Sequence, residues 1–265
     1  MTTVSVVIPT VGRESLQRAV ASASVQGTYV REIIIVNTAA ESLSDLKAVD
    51  SRVRVIDVGK ASPARARNAG IAAATGDWVA LLDDDDEWHL GYVDAQLTYA
   101  RKKNLDVVIS ASVVRRGTRQ FKRPARVIHT EPTVLHAFYG KPRWRGSKYS
   151  VPTSCVVVKR EWARKYPMNE ELSVREDIWW LYDLQSSGAC VEQHLNPLCT
   201  IHASPSRAVN RESRATVAQW AHLLANVDPR LVRGFAWGIG LRTAVLARSW
   251  DTAVEALQLG FKKGR

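Results

Sequence analysis

Five consecutive acids, Asp83-Asp84-Asp85-Asp86-Glu87, form the stretch of this chain best suited to chemistry. They follow the apolar run Trp78-Val79-Ala80-Leu81-Leu82, which reads as a buried strand. A strand ending in carboxylates carries them from the core to the C-terminal rim of its sheet, where open α/β sheets bind ligands. Carboxylates packed so closely repel one another unless a cation or water lies among them. In extended chain Asp83 and Asp85 point the same way, with about 7 Å between their Cα atoms. One can bind a cation while the other acts through water or on a bound ribose. Hard oxygen ligands suit Mg²⁺ or Mn²⁺, which normally share their coordination sphere with substrate phosphates. A calcium loop starting at Asp83 would need Gly at its sixth position and Glu at its twelfth. The chain has Trp88 and Asp94 there, so that reading fails. A solvated acidic turn is the bland alternative, and the strand-end placement argues against it.

The elements that must position these acids follow a simple order. Residues 4–8 read as a strand stopped by Pro9-Thr10, with Val11-Gly12-Arg13 as the turn. Ser15 is a candidate N-cap before Leu16, Ala19, Val20 and Ala23 at helical spacing. Residues 32–36 and 52–56 read as two further strands. Ser62-Pro63 opens a helix over 64–74, with Pro at the first helical position. Thr75-Gly76-Asp77 closes it, and the strand at 78–82 delivers the acids. This alternation predicts a doubly wound, parallel sheet.

Beyond the acids, residues 89–103 read as a helix and 106–110 as a strand. Residues 115–148 carry many cations, among them Arg115, Arg119, Lys122, Arg126, Arg143 and Lys148, and few periodic apolar positions. They read as long, mobile connections beside the mouth of the site. A strand at 154–158 and a short helix at 161–165 come next. Glu176-Asp177 then opens the apolar helix 178–185, ended by Gly188. Short strands are expected at 191–194 and 198–202. From Ser213 the pattern is helical in three pieces, broken near Asp228-Pro229 and near Ser249-Trp250.

Composition sets outer bounds. The 265 residues allow one large α/β domain, or a domain plus a helical appendix. Hydrophobic content of 46% and charged content of 24% are ordinary for a folded, soluble chain. Lys and Arg number 37 against 26 acids, giving +11 and a pI near 9.8. That excess suits an anionic partner such as nucleotide phosphate, nucleic acid or an acidic membrane, or simply a solubilising surface. Cys155, Cys190 and Cys199 have no CxxC spacing, and Cys155 and Cys199 read as buried thiols of a reducing compartment. No signal peptide and no apolar run of about 18 residues is visible, so a cytoplasmic enzyme is expected.

Several short segments together resemble family 2 glycosyltransferases of GT-A fold. They are Val6-Val7-Ile8-Pro9-Thr10-Val11-Gly12-Arg13, Ala66-Arg67-Asn68-Ala69-Gly70-Ile71, Thr75-Gly76-Asp77-Trp78, the Leu82–Glu87 acids and Glu176-Asp177. Each alone is weak; their order and spacing are specific, and the resemblance runs from residue 3 to residue 207. It implies an α/β GT-A fold, Rossmann-like and doubly wound, with a mostly parallel central sheet and a C-terminal helical extension. The expected division is a GT-A domain over 1–207 and a helical region over 208–265. The domain splits into a nucleotide-sugar-binding half, 1–110, and an acceptor-side half, 111–207.

The resemblance also implies roles. Pro9, Thr10 and Arg13 contact the nucleotide, and Arg67 holds nucleotide and acids together. Asp83 and Asp85 match the D-x-D pair, Asp83 facing the nucleotide and Asp85 a Mn²⁺ or Mg²⁺ on the diphosphate. Asp84 is grouped with the donor-binding residues, with Asp86 and Glu87 behind it or in solvent. Asp177 matches the general base of inverting members, with Glu176 beside the acceptor. His202 resembles a C-terminal histidine that reaches the metal or diphosphate, and Ser206 and Arg207 fall where members bind the diphosphate. In place of the family's usual acids after the second strand stands Asn37-Thr38, so Asn37 is expected at the base and the preference for uridine is weakened. Trp88 is a candidate for lining the donor site, and Trp179 and Trp180 for an apolar wall or sugar-stacking surface. Each also reads as core packing. Trp144 is the exposed candidate for acceptor contact.

The implied activity is metal-dependent, inverting transfer from a nucleotide-diphosphate sugar, of UDP type, to a polysaccharide, lipid-linked or natural-product acceptor. A catalytically silent sugar-nucleotide-binding protein is an alternative. A nucleotidyltransferase would want a Gly-rich phosphate loop followed by Lys near the first strand, which Val11-Gly12-Arg13 does not supply. A nucleic-acid-binding protein using the basic 115–148 segment lacks the stacking aromatics of known modules, so no nucleic-acid partner is expected. The region after Leu231, with Phe235, Trp237 and a Lys262-Lys263-Gly264-Arg265 end, reads as a helical cap on the domain or in a homodimer. Its Gly234, Gly238 and Gly240 suit close packing. The other reading is a peripheral membrane contact at the inner face.

Overall fold

β-branched runs buried on both faces make the centre of the molecule. The computed structural model describes residues 2–41, 43, 50–129, 131–141, 148–203, 214–240, 254 and 258. Val4–Thr10 (β1), Val30–Asn37 (β2), Val53–Asp57 (β3) and Trp78–Leu81 (β4) pair in parallel in the order β3-β2-β1-β4. The helices Leu16–Ser24 (α1) and Pro63–Ala73 (α2) connect them. As expected, Pro63 opens α2, and the Ser62 side chain accepts from the Arg65 N–H. Ser15 stands at the N-cap of α1 but makes no side-chain cap bond.

β1 runs through Pro9 rather than stopping there. The Val7 carbonyl accepts from the Leu82 N–H at 3.0 Å, so Val7, and Pro9 two residues on, face the β4 side. The β1–β4 ladder ends at Val7–Leu81, so the donor that proline lacks falls beyond the paired region.

The second half of the sheet mixes directions. Glu87–Trp88 (β5), Val107–Arg116 (β6), Arg119–Arg123 (β7), Val156–Lys159 (β8) and Val191–His202 (β9) continue the order β4-β8-β6-β9-β5, with β7 hairpinned to β6. β8 is antiparallel to β4 and β6, and β9 is parallel to β6. Hence β3, β2, β1, β4, β6 and β9 share one direction, and β8, β5 and β7 oppose it. The sheet is mostly parallel, as expected of the fold. The helix Tyr92–Lys103 (α3) crosses from β5 to β6.

The described part of the 115–148 segment is less irregular than its composition suggests. It contains the end of β6, all of β7 and a short helix, Val134–Tyr139 (α4). β7 escapes a pattern reading because neither of its faces is deeply buried: Arg119 to Lys122 are exposed. β9 is one irregular strand where two short ones were expected, with its register to β6 shifting around Ala111.

Arg160–Lys165 (α5) and Glu176–Ser186 (α6) lead into the C-terminal helices Arg214–Val227 (α7) and Pro229–Phe235 (α8), followed by a π-helical turn, Ala236–Gly240. The expected break at Asp228-Pro229 is present, with Asp228 accepting from the Arg230 N–H at 2.9 Å. The break near Ser249-Trp250 lies outside the described residues. Trp220, Leu224, Leu231 and Phe235 are wholly buried and join the domain's core. A Cβ at Gly234 would collide with the Tyr139 carbonyl oxygen, so α8 meets α4 at a distance only glycine permits. Cys155 and Cys199 are buried free thiols and Cys190 an exposed one. Among the described residues no helix is long and apolar enough to cross a membrane.

One polar joint at the opposite end of the parallel strands from the acids carries a stability prediction. Glu32 on β2 accepts from Ser5 Oγ at 2.7 Å, Thr75 N–H at 2.7 Å and Thr75 Oγ1 at 2.6 Å, and pairs with Arg54 at 2.9 Å. Burial raises its pKa, but the bonds from Thr75, Ser5 and Arg54 outweigh that and lower it to about 2. A depressed carboxylate stabilises the fold above its unfolded pKa and loses that contribution as pH falls towards the folded value. Glu32→Gln is therefore expected to cost about 1–3 kcal/mol at pH 7. In urea titrations across pH, the gap to the parent should close between the ordinary carboxylate range and pH 2. A pH-independent gap would contradict the linkage.

Candidate active site

β4 ends at Leu81, and the acids leave the sheet at its C-terminal edge beside the end of β1. Asp84 is buried and anchors the two strand ends together. It accepts from Thr10 Oγ1 at 2.7 Å and pairs with the Arg13 guanidinium. Arg13 also lies 3.6 Å from Asp85, and Arg18 donates to the Asp85 carbonyl at 2.7 Å.

α2 approaches β1 closely at Gly70, where any Cβ would strike Val7. That packing brings Arg67, only 5% exposed, under the acids. Its guanidinium donates to Asp83 Oδ1 at 2.7 Å and to Glu176 Oε1 at 2.8 Å. Burial opposes its charge, but Asp83, Glu176 and Asp177 outweigh it and hold its pKa above the ordinary arginine value. Arg67 thus bridges two segments about a hundred residues apart in sequence.

Asp86 is 1% exposed and accepts from Ser154 Oγ at 2.6 Å and from the His202 N–H at 3.1 Å. The same Ser154 hydroxyl accepts from the Asp83 N–H at 3.0 Å. Burial first, then the charge of Asp83, then that of Asp85, push Asp86 up to about 8 against those hydrogen bonds. Oxygens of Asp83, Asp85 and Asp86 lie within 4.8 Å of one another. A hard divalent cation fits this set: it takes oxygen ligands and would offset the repulsion that burdens Asp86.

Asp177 sits in the first turn of α6. Its Oδ1 accepts from the Ile178 N–H at 2.8 Å, and Thr153 Oγ1 lies 3.5 Å from its Oδ2. Burial of the carboxyl and the adjacent Glu176 charge raise it to about 7, with Arg67 opposing. A carboxyl poised near neutrality suits proton transfer.

A cavity of about 510 Å³ gathers most of the expected residues. Pro9, Thr10, Arg13, Arg67, Asp83 and Asp84 line one side, and Glu176 and Asp177 the other. Asp85 belongs to the carboxylate cluster behind Asp83. Others stand elsewhere. Asn37 is 1% exposed, donates to the Glu41 carbonyl and to Asp57, and accepts from the Ala39 N–H. Its amide holds a loop, and it is Thr38, beside it, that lines the cavity. His202 is not part of the carboxylate cluster: its Nε2 lies 3.1 Å from Glu87 Oε1, and only its backbone N–H reaches Asp86. Trp180 is a core residue, 1% exposed, with its indole N–H donating to the Tyr166 carbonyl at 2.7 Å. Trp179 packs on Tyr182 and Trp220 rather than facing the cavity. Trp88 is buried, stacked on Tyr92. Trp144, Ser206 and Arg207 lie outside the described residues.

The cavity's aromatic lining comes from Phe138 and Tyr149, which sequence reasoning passed over. Ser154, Thr153 and Arg175 were missed as well. None has a local signal, because each acquires its role from a partner distant in sequence.

Carboxylates gathered at the carboxyl edge of a doubly wound sheet, facing a second, mixed half across a cleft, define the GT-A class of fold. A sequence profile described as Glycosyl transferase family 2 matches residues 5–167, more than half of the chain, and the chain belongs to that family. The amylovoran biosynthesis glycosyltransferase AmsB of Erwinia amylovora is 26% identical over 167 residues, 58% of this chain and 52% of that protein. The succinoglycan biosynthesis protein ExoO of Rhizobium meliloti is 40% identical over 136 residues, 47% of this chain and 38% of that protein. The chain thus spans about half or less of these relatives. A crystal structure of S. aureus TarS 1–349 in complex with UDP superposes with a TM-score of 0.63 at 11% identity. The match covers 98% of this chain and 90% of TarS 1–349. The UDP-GlcNAc complex of TarS gives 0.63 at 12% identity. At such identity the likeness is one of fold.

Proposed function

We propose that this protein is a metal-dependent, inverting glycosyltransferase. It moves a hexosyl or N-acetylhexosaminyl group from a nucleotide-diphosphate sugar to a polysaccharide, lipid-linked or natural-product acceptor. The observation that carries the reading is one cavity holding both Asp83, the foremost of the Asp83-Asp85-Asp86 carboxylates, and, across Arg67, an Asp177 raised to about 7. UDP is the favoured nucleotide because the TarS complexes of like fold hold UDP and UDP-GlcNAc.

Thr10, Arg13 and Asp84 at the end of β1 form the donor wall, and Arg67 fixes Asp83 and Glu176 in place. Asp83 and Asp85, with Asp86 behind them, would hold a divalent cation, which supplies positive charge against the charge building on the departing diphosphate. Asp177 takes the proton from the acceptor nucleophile as that atom bonds to the anomeric carbon. The bond from that carbon to the diphosphate oxygen breaks, its electron pair leaves with the nucleotide diphosphate, and the configuration inverts.

Thermal unfolding tests the donor and the metal together. With Mn²⁺ and a nucleotide sugar at about 100 Kd, stabilisation of about 2.7 kcal/mol is expected, which is several degrees in Tm. UDP-sugars should give the largest shift. Asp85→Ala should keep its own Tm while losing the Mn²⁺-dependent part of the shift. No shift with any nucleotide sugar and Mn²⁺ would overturn the reading.

A further inference from the structure

Immediately before Glu176-Asp177, the backbone does something uncommon. Arg175 has φ 57° and ψ 25°, the left-handed region that side chains other than glycine rarely adopt. It is the N-cap of α6, and its carbonyl accepts the Trp179 N–H at 3.1 Å. A conformation of this kind persists only where the surroundings impose it.

The surroundings here are the C-terminal helices. The Arg175 guanidinium carbon lies 5.9 Å from the Trp220 ring centroid and 5.8 Å from that of Phe235. Those rings, from α7 and α8, are both wholly buried and stack on each other at 6.2 Å. The Trp220 indole N–H also donates to the Val174 carbonyl at 3.1 Å. One tryptophan therefore holds the backbone of residue 174 and the side chain of residue 175 together. Arg175 is half-buried, and a cation over aromatic faces is attracted by the ring quadrupoles, the more so as water is excluded. Two residues further on stands Asp177.

We propose that Arg175 is a positioning residue for the base, clamped by Trp220 and Phe235 so that α6 begins with Glu176 turned to Arg67 and Asp177 facing the cavity. The clamp rests on the transferase reading for its catalytic meaning. It gives α7 and α8, which lie beyond the family match at 5–167, a task at the reacting centre. Without it, the left-handed turn keeps the Trp220–Val174 hydrogen bond but loses the side-chain half of its hold, and the start of α6 can slide among conformers in which Asp177 misses the acceptor. A misplacement of about 1 Å is enough to cost catalysis heavily.

Three variants and two readouts test this. Arg175→Ala removes the clamp, Arg175→Gly removes it but eases the backbone, and Arg175→Lys keeps a cation over the rings. Hydrogen exchange of the peptide covering 174–181 reads the clamp whether or not the protein transfers sugar. Arg175→Ala should speed exchange there about tenfold or more while β1 amides keep their rates, and Arg175→Lys should recover most of the protection. In transfer assays, kcat should fall about tenfold or more in Arg175→Ala with the donor KM within about twofold, Gly falling between Ala and the parent. Uniformly faster exchange, or none faster, would overturn the clamp. Local loosening with kcat per folded molecule unchanged would overturn the positioning role. A parent that transfers no sugar while Arg175→Ala still loosens α6 would instead remove the transferase reading and the positioning role with it.

Discussion

Replacing Arg67 with methionine is expected to destabilise the protein by about 3–5 kcal/mol at pH 8, the largest stability loss of any single change at the site. Arg67 is 5% exposed and donates at 2.7 Å to Asp83 and at 2.8 Å to Glu176. Methionine fills similar space without charge, so Asp83, Glu176 and Asp177 would be left together with no buried cation. Asp177, already raised to about 7, would then be pushed higher, because only protonation relieves the repulsion. Groups with raised folded pKa values bind more protons when folded than when unfolded, so stability falls as pH increases. The deficit should be small near pH 4 and grow towards pH 8, read as urea midpoints at the two ends. Arg67→Lys keeps a charge but cannot fork to both partners, and should fall between. Equal midpoints for Arg67→Met and the parent at pH 8 would show that the bridge contributes nothing net.

Asp177→Asn separates chemistry from stability. Loss of a positioned general base should lower transfer by about 10²–10⁴-fold, while the Mn²⁺-dependent thermal shift with the donor stays as in the parent. Without ligands, the same variant should be more stable than the parent at pH 8. Asp177 is raised to about 7, chiefly by burial. An acid raised this way weakens the fold progressively as pH climbs from its unfolded value through its folded one. Asparagine never ionises, so the variant escapes a penalty of about 1–3 kcal/mol above pH 7 and gains nothing near pH 4. Lower transfer together with higher stability would be a familiar trade of stability for activity. Full transfer by Asp177→Asn would remove it as the base.

Much of this was legible without coordinates. The period and composition of the apolar runs mark β1, β2, β4 and α2, because strands buried on both faces and a capped, Pro-initiated helix leave local signatures. The acid run at the end of β4 follows from the same logic: a strand that must be apolar inside can only present charge where it leaves the core. The second half was harder to read. β7 lies on an edge with exposed faces and shows no alternation, and Ser110 and Ser112 hide the length of β6 by placing hydroxyls at buried positions.

Within the site, the sequence by itself determined which residue types could meet a sugar nucleotide: Thr10, Arg13, Arg67, the carboxylates and Glu176-Asp177. Only the tertiary structure decided which of them share one cavity. Asn37 turned out to hold a loop, Trp180 to fill the core and His202 to face Glu87, because each found a satisfied partner elsewhere in the fold. Asp86, Ser154 and Arg175 entered for the converse reason. Hydrogen bonds and ring contacts reach across the fold at a few ångströms, and the residues they join are separated by tens of positions along the chain. A linear pattern records what each side chain can do; burial and the partner opposite it decide which of those things it does.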